Sequence, residues 1–315
     1  MISGEAERFQ LIVNPQAAGG RAGRVAEDAA EALRCRGVEV VLRETTGPGV
    51  ATDMALAAAR EGFAAVIALG GDGTVHEVAE GLMRAGTSAD GRPALGVVPA
   101  GTGNDFVKAL GIDRDIRAAL DAIAAGEARP FDIGSARWAG GEETFVNAVG
   151  TGIDVEVVRQ LEKLPRMPGV ASYVVALVRA LGKYRAVPLT IELDGDALER
   201  RVMIIAVANG RCIGGGFHVC PRARPDDGLL DVCVVEEVGL LGIARIMPRI
   251  MRGTHTEMER VSLHRAKTVR ITAAGDEDLF FQLDGELREP AGARELSVRV
   301  LPGALRVFAP PREQG

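Results

Sequence analysis

Three short stretches hold the residues whose types and spacing could do chemistry. Gly70-Gly71-Asp72-Gly73-Thr74 sets a carboxylate among glycines. Asp284-Gly285-Glu286 puts two carboxylates two residues apart, and Asp226-Asp227-Gly228 pairs two more beside a glycine. A glycine-rich turn lets a ligand approach the backbone and permits positive φ. Where such a turn opens a helix, several N–H groups and the positive end of the helix dipole point at one spot, which suits phosphate. A carboxylate there makes sense when a cation sits between it and the phosphates. The first stretch therefore predicts a nucleoside-triphosphate site with Mg²⁺. Two nearby carboxylates such as Asp284 and Glu286 suit proton abstraction, a shared cation or a raised pKa.

The elements that must position these residues alternate. Phe9 to Val13 is an apolar strand ending at Asn14-Pro15-Gln16-Ala17-Ala18-Gly19-Gly20-Arg21, with helical periodicity following at Val25, Ala29, Ala32 and Leu33. Val38 to Leu42 closes on Glu44-Thr45-Thr46-Gly47-Pro48-Gly49, and a helix follows over Val50 to Glu61. Ala64 to Leu69 runs into the glycine-rich stretch, and Val75, Val78, Ala79 and Leu82 run out of it at helical spacing. Leu95 to Val98 precedes Pro99-Ala100-Gly101-Thr102-Gly103-Asn104-Asp105-Phe106, and a helix follows near Ile116 to Ala125. Strands that return through helices predict a parallel sheet with helices on its faces. Ligands of such sheets bind beyond the carboxyl ends of the strands. Asn14, Thr45, Gly71–Thr74 and Thr102–Asp105 all lie at those ends. Each loop alone reads as an ordinary strand–helix turn; their convergence carries the argument.

After that helix the texture changes. Arg129 to Trp138 and Thr144 to Val149 read as paired strands around Gly140-Gly141, and helices are expected over Val155 to Leu161 and Gly169 to Tyr184. Strands then dominate: Leu189 to Leu193, Val202 to Ala208, Leu229 to Val235, Thr268 to Thr272, Leu279 to Leu283 and Glu295 to Val300. Asp194-Gly195 and Asp284-Gly285 are turn dipeptides. One amphipathic helix is expected near Leu240 to Met251. The fold class expected is α/β followed by β: a parallel-sheet nucleotide domain over 1–130 and a β-rich sandwich or flattened barrel over 131–309. The last strand is allowed to return to the first domain, and 310–315 is expected to be a disordered tail.

Bulk properties narrow the classes. The 315 residues are 47% apolar and 25% charged, which is globular composition. A net charge of −6 gives no bulk electrostatic case for nucleic acid. The four cysteines lack CxxC spacing, which argues against a zinc knuckle or a disulfide framework. No apolar run approaches ~20 residues, so no spanning helix is expected. The start has no apolar core of a secretory signal. The expectation is a cytoplasmic protein.

The ordered set of motifs resembles the diacylglycerol kinase catalytic-domain family, which includes bacterial lipid kinases and the related sphingosine and ceramide kinases. The resemblance rests on Asn14-Pro15, on Gly70–Thr74 with Glu77-Val78, and on Pro99–Phe106. It continues through Asn209-Gly210, Gly214-Gly215-Gly216, Pro221 to Val232 and Asp284-Gly285-Glu286. It implies an α/β domain like that of NAD kinases, a β-rich second domain and an active site in the cleft between them. It implies that Asn14, Pro15, Gln16, Ala17, Ala18 and Thr45 line an ATP site. Gly71, Asp72, Gly73, Thr74, Val75, His76 and Glu77 would cradle the phosphates, with Thr102 and Asn104 beside them. Glu286 matches the family's general base, and Asp284 an acidic partner close to it. Asp105 matches a residue tied into the network around Asp72. Asp227, with the carbonyls of Arg224 and Leu229, matches a bound Mg²⁺. Two departures stand out. Where many bacterial members carry Asn this chain has His76, which is similar to sphingosine kinases, and Gln16-Ala17-Ala18 replaces the commoner Ser-Gly, so nucleotide contacts there fall to backbone groups.

The reading is an ATP-dependent lipid kinase that phosphorylates the hydroxyl of a membrane lipid, with diacylglycerol first. The alternatives are a kinase of a sphingoid base, another lipid alcohol or NAD, and a non-catalytic lipid- or nucleotide-binding regulator. A lipid acceptor calls for peripheral membrane contact. Leu161 to Arg185 offers Lys163, Arg166, Arg179, Lys183 and Arg185 beside Leu164, Met167 and Val170, against the single acid Glu162. A solvated helix face explains that segment equally well. Leu240 to Arg252 has a similar composition, with core packing expected for it. Open sheet edges allow a homodimer.

Overall fold

The computed structural model describes residues 7–86, 91–112, 115–164, 171–181, 184 and 186–310. Arg166, Met167, Val170, Lys183, Arg185 and the tail beyond Pro310 lie outside these residues. The chain divides into two units: Met1–Phe131 with Gly303–Gly315, and Asp132–Pro302.

The first unit alternates strand and helix. Its elements are β1 (Arg8–Val13), α1 (Ala17–Arg34), β2 (Glu39–Glu44), α2 (Val50–Arg60), β3 (Ala65–Gly70), α3 (Asp72–Arg84), β4 (Ala94–Pro99), α4 (Asp105–Ala109) and α5 (Ile116–Ala124). The strands β2, β1, β3 and β4 pair side by side and all in parallel. Every residue of β3 and β4 is buried, as expected of strands covered on both faces. Leu11, Ile67, Leu69 and Leu95 are fully buried in this sheet. A change such as Ile67→Ala removes roughly 2–5 kcal/mol, a large part of a domain's 5–15 kcal/mol. Stability therefore sits in the sheet, and the loops at its ends can be glycine-rich. In α1 the residues Ala18, Gly19 and Gly20 have positive φ, so the regular helix starts after them.

The second unit is mainly antiparallel. The chain enters it along β5 (Ala128–Trp138), followed by β6 (Gly141–Phe145), β7 (Ala148–Gly152), α6 (Ile153–Leu161), α7 (Ala171–Leu181), β8 (Val187–Leu193), β9 (Asp196–Ala208) and β10 (Leu230–Glu236). Then come α8 (Leu240–Arg252), β11 (Val261–Ala266), β12 (Thr268–Ala273), β13 (Phe281–Leu283), β14 (Glu286–Arg288) and β15 (Glu295–Phe308). The early part of β9 pairs with β8, and its later part runs between β7 and β10. Strands β14, β13 and β7 follow one another, and β12 joins β8 to β15. The core is aliphatic, from Ile191, Ile205, Val207, Val232 and Leu296. Trp138 packs edge-on against Phe281 with ring centroids 5.1 Å apart. In β15 the burial pattern alternates at the start, where it pairs with β12, and becomes continuous at the end. There Val307 pairs in parallel with Leu95 of β4, so the last strand closes the first unit's sheet.

The sequence reading differs from the structure in places. The stretch Thr144 to Val149 is not one strand. Phe145 still pairs with β5, whereas Ala148 begins a strand paired with β9 and β13. The break has a cause: the carboxylate of Asp284 takes the N–H groups of Val146, Asn147 and Ala148, at 2.9 Å each. Strands β11 and β14 and the short helix α4 were not expected, being brief or rich in charged residues.

Candidate active site

The parallel ladder brings four loops of the first unit to one edge. Val13 is level with Glu44 and Leu69, and Gly70 with Pro99. Each ladder continues one residue past the strand ends. Asn14 N–H donates to the Leu69 carbonyl (3.1 Å), Thr45 N–H to Val13 (2.8 Å) and Ala100 N–H to Gly70 (2.9 Å). The Asn14, Thr45, Gly71 and Thr102 loops therefore start from one line. Asn14 closes its own turn: its side-chain oxygen accepts from Gln16 N–H at 3.1 Å, and its carbonyl from Ala17 N–H at 3.0 Å. Pro15 lies within that turn, and Ala18 in the left-handed region leads out of it.

Helix α3 begins in the glycine-rich stretch. Its first N–H groups have no acceptor inside the helix, and its N-cap, Gly71, supplies no side-chain cap. Asp72 is turned the other way. Its Oδ1 accepts from the N–H groups of Asp105 (2.7 Å) and Phe106 (3.4 Å), tying α4 to the start of α3. The Asp105 carboxylate is buried and receives Lys108 Nζ at 2.7 Å. The loops of β3 and β4 touch through backbone: a Cβ on Gly101 would lie 2.4 Å from the Gly71 Cα, so only glycine fits. Asn104, at φ 51°, exchanges two 3.0 Å hydrogen bonds with the backbone of Gly101 and locks this loop. Thr102 is exposed at its tip, while Thr74, Val75 and His76 are buried. Glu77 reaches Ala51 N–H at 3.1 Å and so caps α2. The edge thus offers the open N-terminus of α3, ringed by Gly71–Thr74, Thr102 and Thr45. His76 and Glu77 support it from behind.

In the second unit, Asp284 and Gly285 form the tight turn between β13 and β14, with φ of 49° and 90°. The Asp284 carboxylate receives the three amides of Val146, Asn147 and Ala148. Glu286, the first residue of β14, lies 3.1 Å from Arg288 Nη2, with its side chain 39% exposed. Arg288 is in turn held by both oxygens of Glu143, at 2.9 and 2.6 Å. These bonds hold its pKa above the ordinary guanidinium value. Behind the turn, Gln282 accepts from Gly285 N–H at 2.6 Å and donates to Asp154 Oδ2 at 2.8 Å. Burial pushes the Asp154 pKa up, against the Gln282 hydrogen bond.

The residues expected to hold Mg²⁺ have protein partners in the structure. Asp227 Oδ2 is ion-paired with Arg265, and its Oδ1 accepts from Leu229 N–H at 3.2 Å. Arg224 lies 3.8 Å from Asp226, and Gly228 N–H is held by Asp132 at 2.7 Å. Among the described residues no group of three or more His, Cys, Asp and Glu could hold a metal. Asp72 uses one oxygen, Oδ1, to brace the start of α4.

Sequence reasoning missed Asp132, Glu143, Arg288, Gln282 and Asp154. Only Gln282 left a signal, a polar residue between Phe281 and Leu283 in a fully buried strand.

Comparison with known proteins identifies the architecture. Residues 8–136 match the diacylglycerol kinase catalytic domain, and residues 147–309 match the YegS C-terminal NAD kinase beta sandwich-like domain. A diacylglycerol kinase of Bacillus subtilis (strain 168) is 34% identical over 79% of this chain and 80% of its own length. One from Mycobacterium tuberculosis (strain CDC 1551 / Oshkosh) is 31% identical over 98% of this chain and 99% of its own. A YegS-like lipid kinase of Stenotrophomonas maltophilia (strain K279a) is 32% identical over 96% of each. The crystal structure of a diacylglycerol kinase from Bacillus anthracis str. Sterne has the same fold, with TM-score 0.72 at 23% identity over 97% of each chain. Among the described residues, no helix is long and apolar enough to cross a membrane. With both domain models in order and relatives aligned along nearly its whole length, the chain belongs to the diacylglycerol kinase family of lipid kinases.

Proposed function

We propose that this protein transfers the γ-phosphoryl group of ATP to the free hydroxyl of diacylglycerol, giving phosphatidic acid. The observation that carries the reading is the N-terminus of α3, entered through the glycine N-cap Gly71 at the shared edge of the parallel sheet, a site for phosphate oxygens. The amides of Gly73 and Thr74 receive the nucleotide phosphates, and Asn14 and Thr45 line the approach. Mg²⁺ comes with the nucleotide as part of the substrate. Phosphoryl transfer asks the protein mainly for positioning and charge stabilisation. A bond forms between the acceptor oxygen and the γ-phosphorus, the bond to the β,γ-bridging oxygen breaks, and ADP leaves. The hydroxyl proton passes to Glu286, the general base, which Arg288 orients and Glu143 steadies through Arg288.

A cavity of about 560 Å³ in the second unit, with Val155, Val187, Leu189, Leu279 and Phe280 on its apolar side and Glu156, Arg159, Glu277 and Asp278 on its charged side, suits an acceptor that carries both acyl and polar parts. The test is incubation with labelled ATP, Mg²⁺ and mixed micelles holding diacylglycerol, sphingosine, ceramide or NAD in turn. Labelled phosphatidic acid supports the reading. Label only in NAD, or in none of the four, sinks it.

A further inference from the structure

Helix α8 packs on its unit by one face only. Ile246, Met247 and Ile250 join a cluster with Phe217, Val219 and Val261. At 100° per residue these three lie within an arc of about 100°. The opposite side splits into two strips. One is apolar and exposed: Leu241 at 79%, Met251 at 41%, with Ala244 and Pro248 between them. The other is basic, with Arg245, Arg249 and Arg252 all exposed. Among the described residues none of these arginines forms an ion pair; Arg249 bonds instead to the Arg245 carbonyl at 3.0 Å. Between Val238 and Thr256 the chain has three arginines and no acid, on a protein of net charge −6. Glu236 and Glu237, before the helix, are already paired with Arg200, Arg260 and Arg201. Glu257 and Glu259 follow only after the helix has ended.

We propose that this outer face of α8 docks the protein on an anionic membrane surface. An apolar strip bordered by unpaired arginines matches a helix lying in the interface plane. The apolar side chains sink to the level of the acyl boundary and the guanidinium groups meet lipid phosphates. Charge complementarity selects the occupant, because the local field is positive where the rest of the chain is acidic. Pro248 fixes the depth. It removes the N–H that would bond the Ala244 carbonyl, and a carbonyl left without that bond needs the hydrated headgroup layer rather than hydrocarbon. Helix α7 exposes Val174 and Val178 with one arginine, Arg179, and so lacks the paired strips.

The inference extends the lipid-kinase reading without resting on its chemistry. Sedimentation of the full chain with phosphatidylglycerol–phosphatidylcholine vesicles, without ATP or diacylglycerol, tests it. The parent protein binds the mixed vesicles and not pure phosphatidylcholine, and high salt releases it. Each arginine near such a surface is worth roughly fivefold in affinity, so R245E/R249E/R252E lowers binding by about 10²-fold or more. Leu241→Ser with Met251→Ser lowers it less and leaves the salt dependence intact. Reversing Arg60, Arg117 and Lys267 makes the same change in net charge elsewhere and leaves binding unchanged. All these side chains are exposed, and circular dichroism verifies the fold. Parent-like binding by R245E/R249E/R252E overturns the proposal. So does a changed oligomeric state with unchanged vesicle binding, which would make the face a contact between copies.

Discussion

Two turns of the second unit are built alike. Asp194-Gly195 joins β8 to β9 and Asp284-Gly285 joins β13 to β14, with φ of 50° and 104° in the first and 49° and 90° in the second. In both, the aspartate N–H donates to a carbonyl of a neighbouring segment, Thr268 at 3.0 Å and Ala148 at 2.9 Å. In both, the carboxylate receives that segment's amides: Lys267 and Thr268 for Asp194, and Val146, Asn147 and Ala148 for Asp284. The Asp-Gly dipeptide is therefore scaffold in both places. What differs is the residue after it and the layer behind it. Asp196 follows the first turn and is exposed at the start of a long hairpin. Glu286 follows the second, held by Arg288, and the buried Gln282 links that turn to Asp154. A chemical role is read from that supported carboxylate and not from the turn.

The comparison can be broken most directly at the residue after each turn. Glu286→Gln should lower kcat about 10²–10⁴-fold, the usual worth of a positioned general base, with the unfolding midpoint unmoved. Asp196→Asn should change neither. Equal losses from both would end the distinction. A smaller effect is expected on stability, read by urea unfolding. Asp284→Ala strands three amides that now donate to a charged acceptor, a cost of about 3 kcal/mol or more. Asp194→Ala, at an exposed turn, should cost about 1 kcal/mol, because water replaces its bonds.

Two aspartates of the second unit can also be told apart by pH dependence. The Lys267 and Thr268 amides hold the Asp194 carboxyl below the ordinary value of 3.8. Its contribution is thus complete above about pH 4 and fades as pH falls towards the lower folded value. Asp231 behaves oppositely. Burial, only partly offset by Arg265, pushes its pKa up to about 6. Its folded form keeps a proton that the unfolded chain has lost, so stability falls as pH rises from about 4 to 6. Unfolding free energies from pH 2 to 8 should show both slopes, with Asp194→Asn removing the acid-side one and Asp231→Asn the other.

The parts of the fold that depend on local pattern were legible in the sequence. Runs such as Ala65–Gly70 and Ala94–Pro99 announce strands covered on both faces, and the glycine-rich stretch after β3 announces a turn into a helix. What depends on distant partners was not. The break at Val146 is imposed by a carboxylate 138 residues away. Strand β14, a Glu-Leu-Arg tripeptide, has no pattern of its own and exists because β13 pairs with it. The pairing of Asp227 with Arg265, which comes from β11, has no local signal either. The candidate residues of the first unit sit at strand ends and so follow from strand order. Those of the second unit depend on pairings no spacing rule reveals.

The return of β15 also has a consequence for the order of events during synthesis. The second unit, Asp132–Pro302, is an insertion in the first, whose final strand residues are translated after it. While the ribosome is still making them, the outer edge of β4 near Leu95 waits without its closing partner Val307. An exposed parallel edge is a template for foreign strands. The nascent first unit therefore remains unfinished until the second unit has been made, and a chain truncated just before Gly303 would leave that edge permanently open.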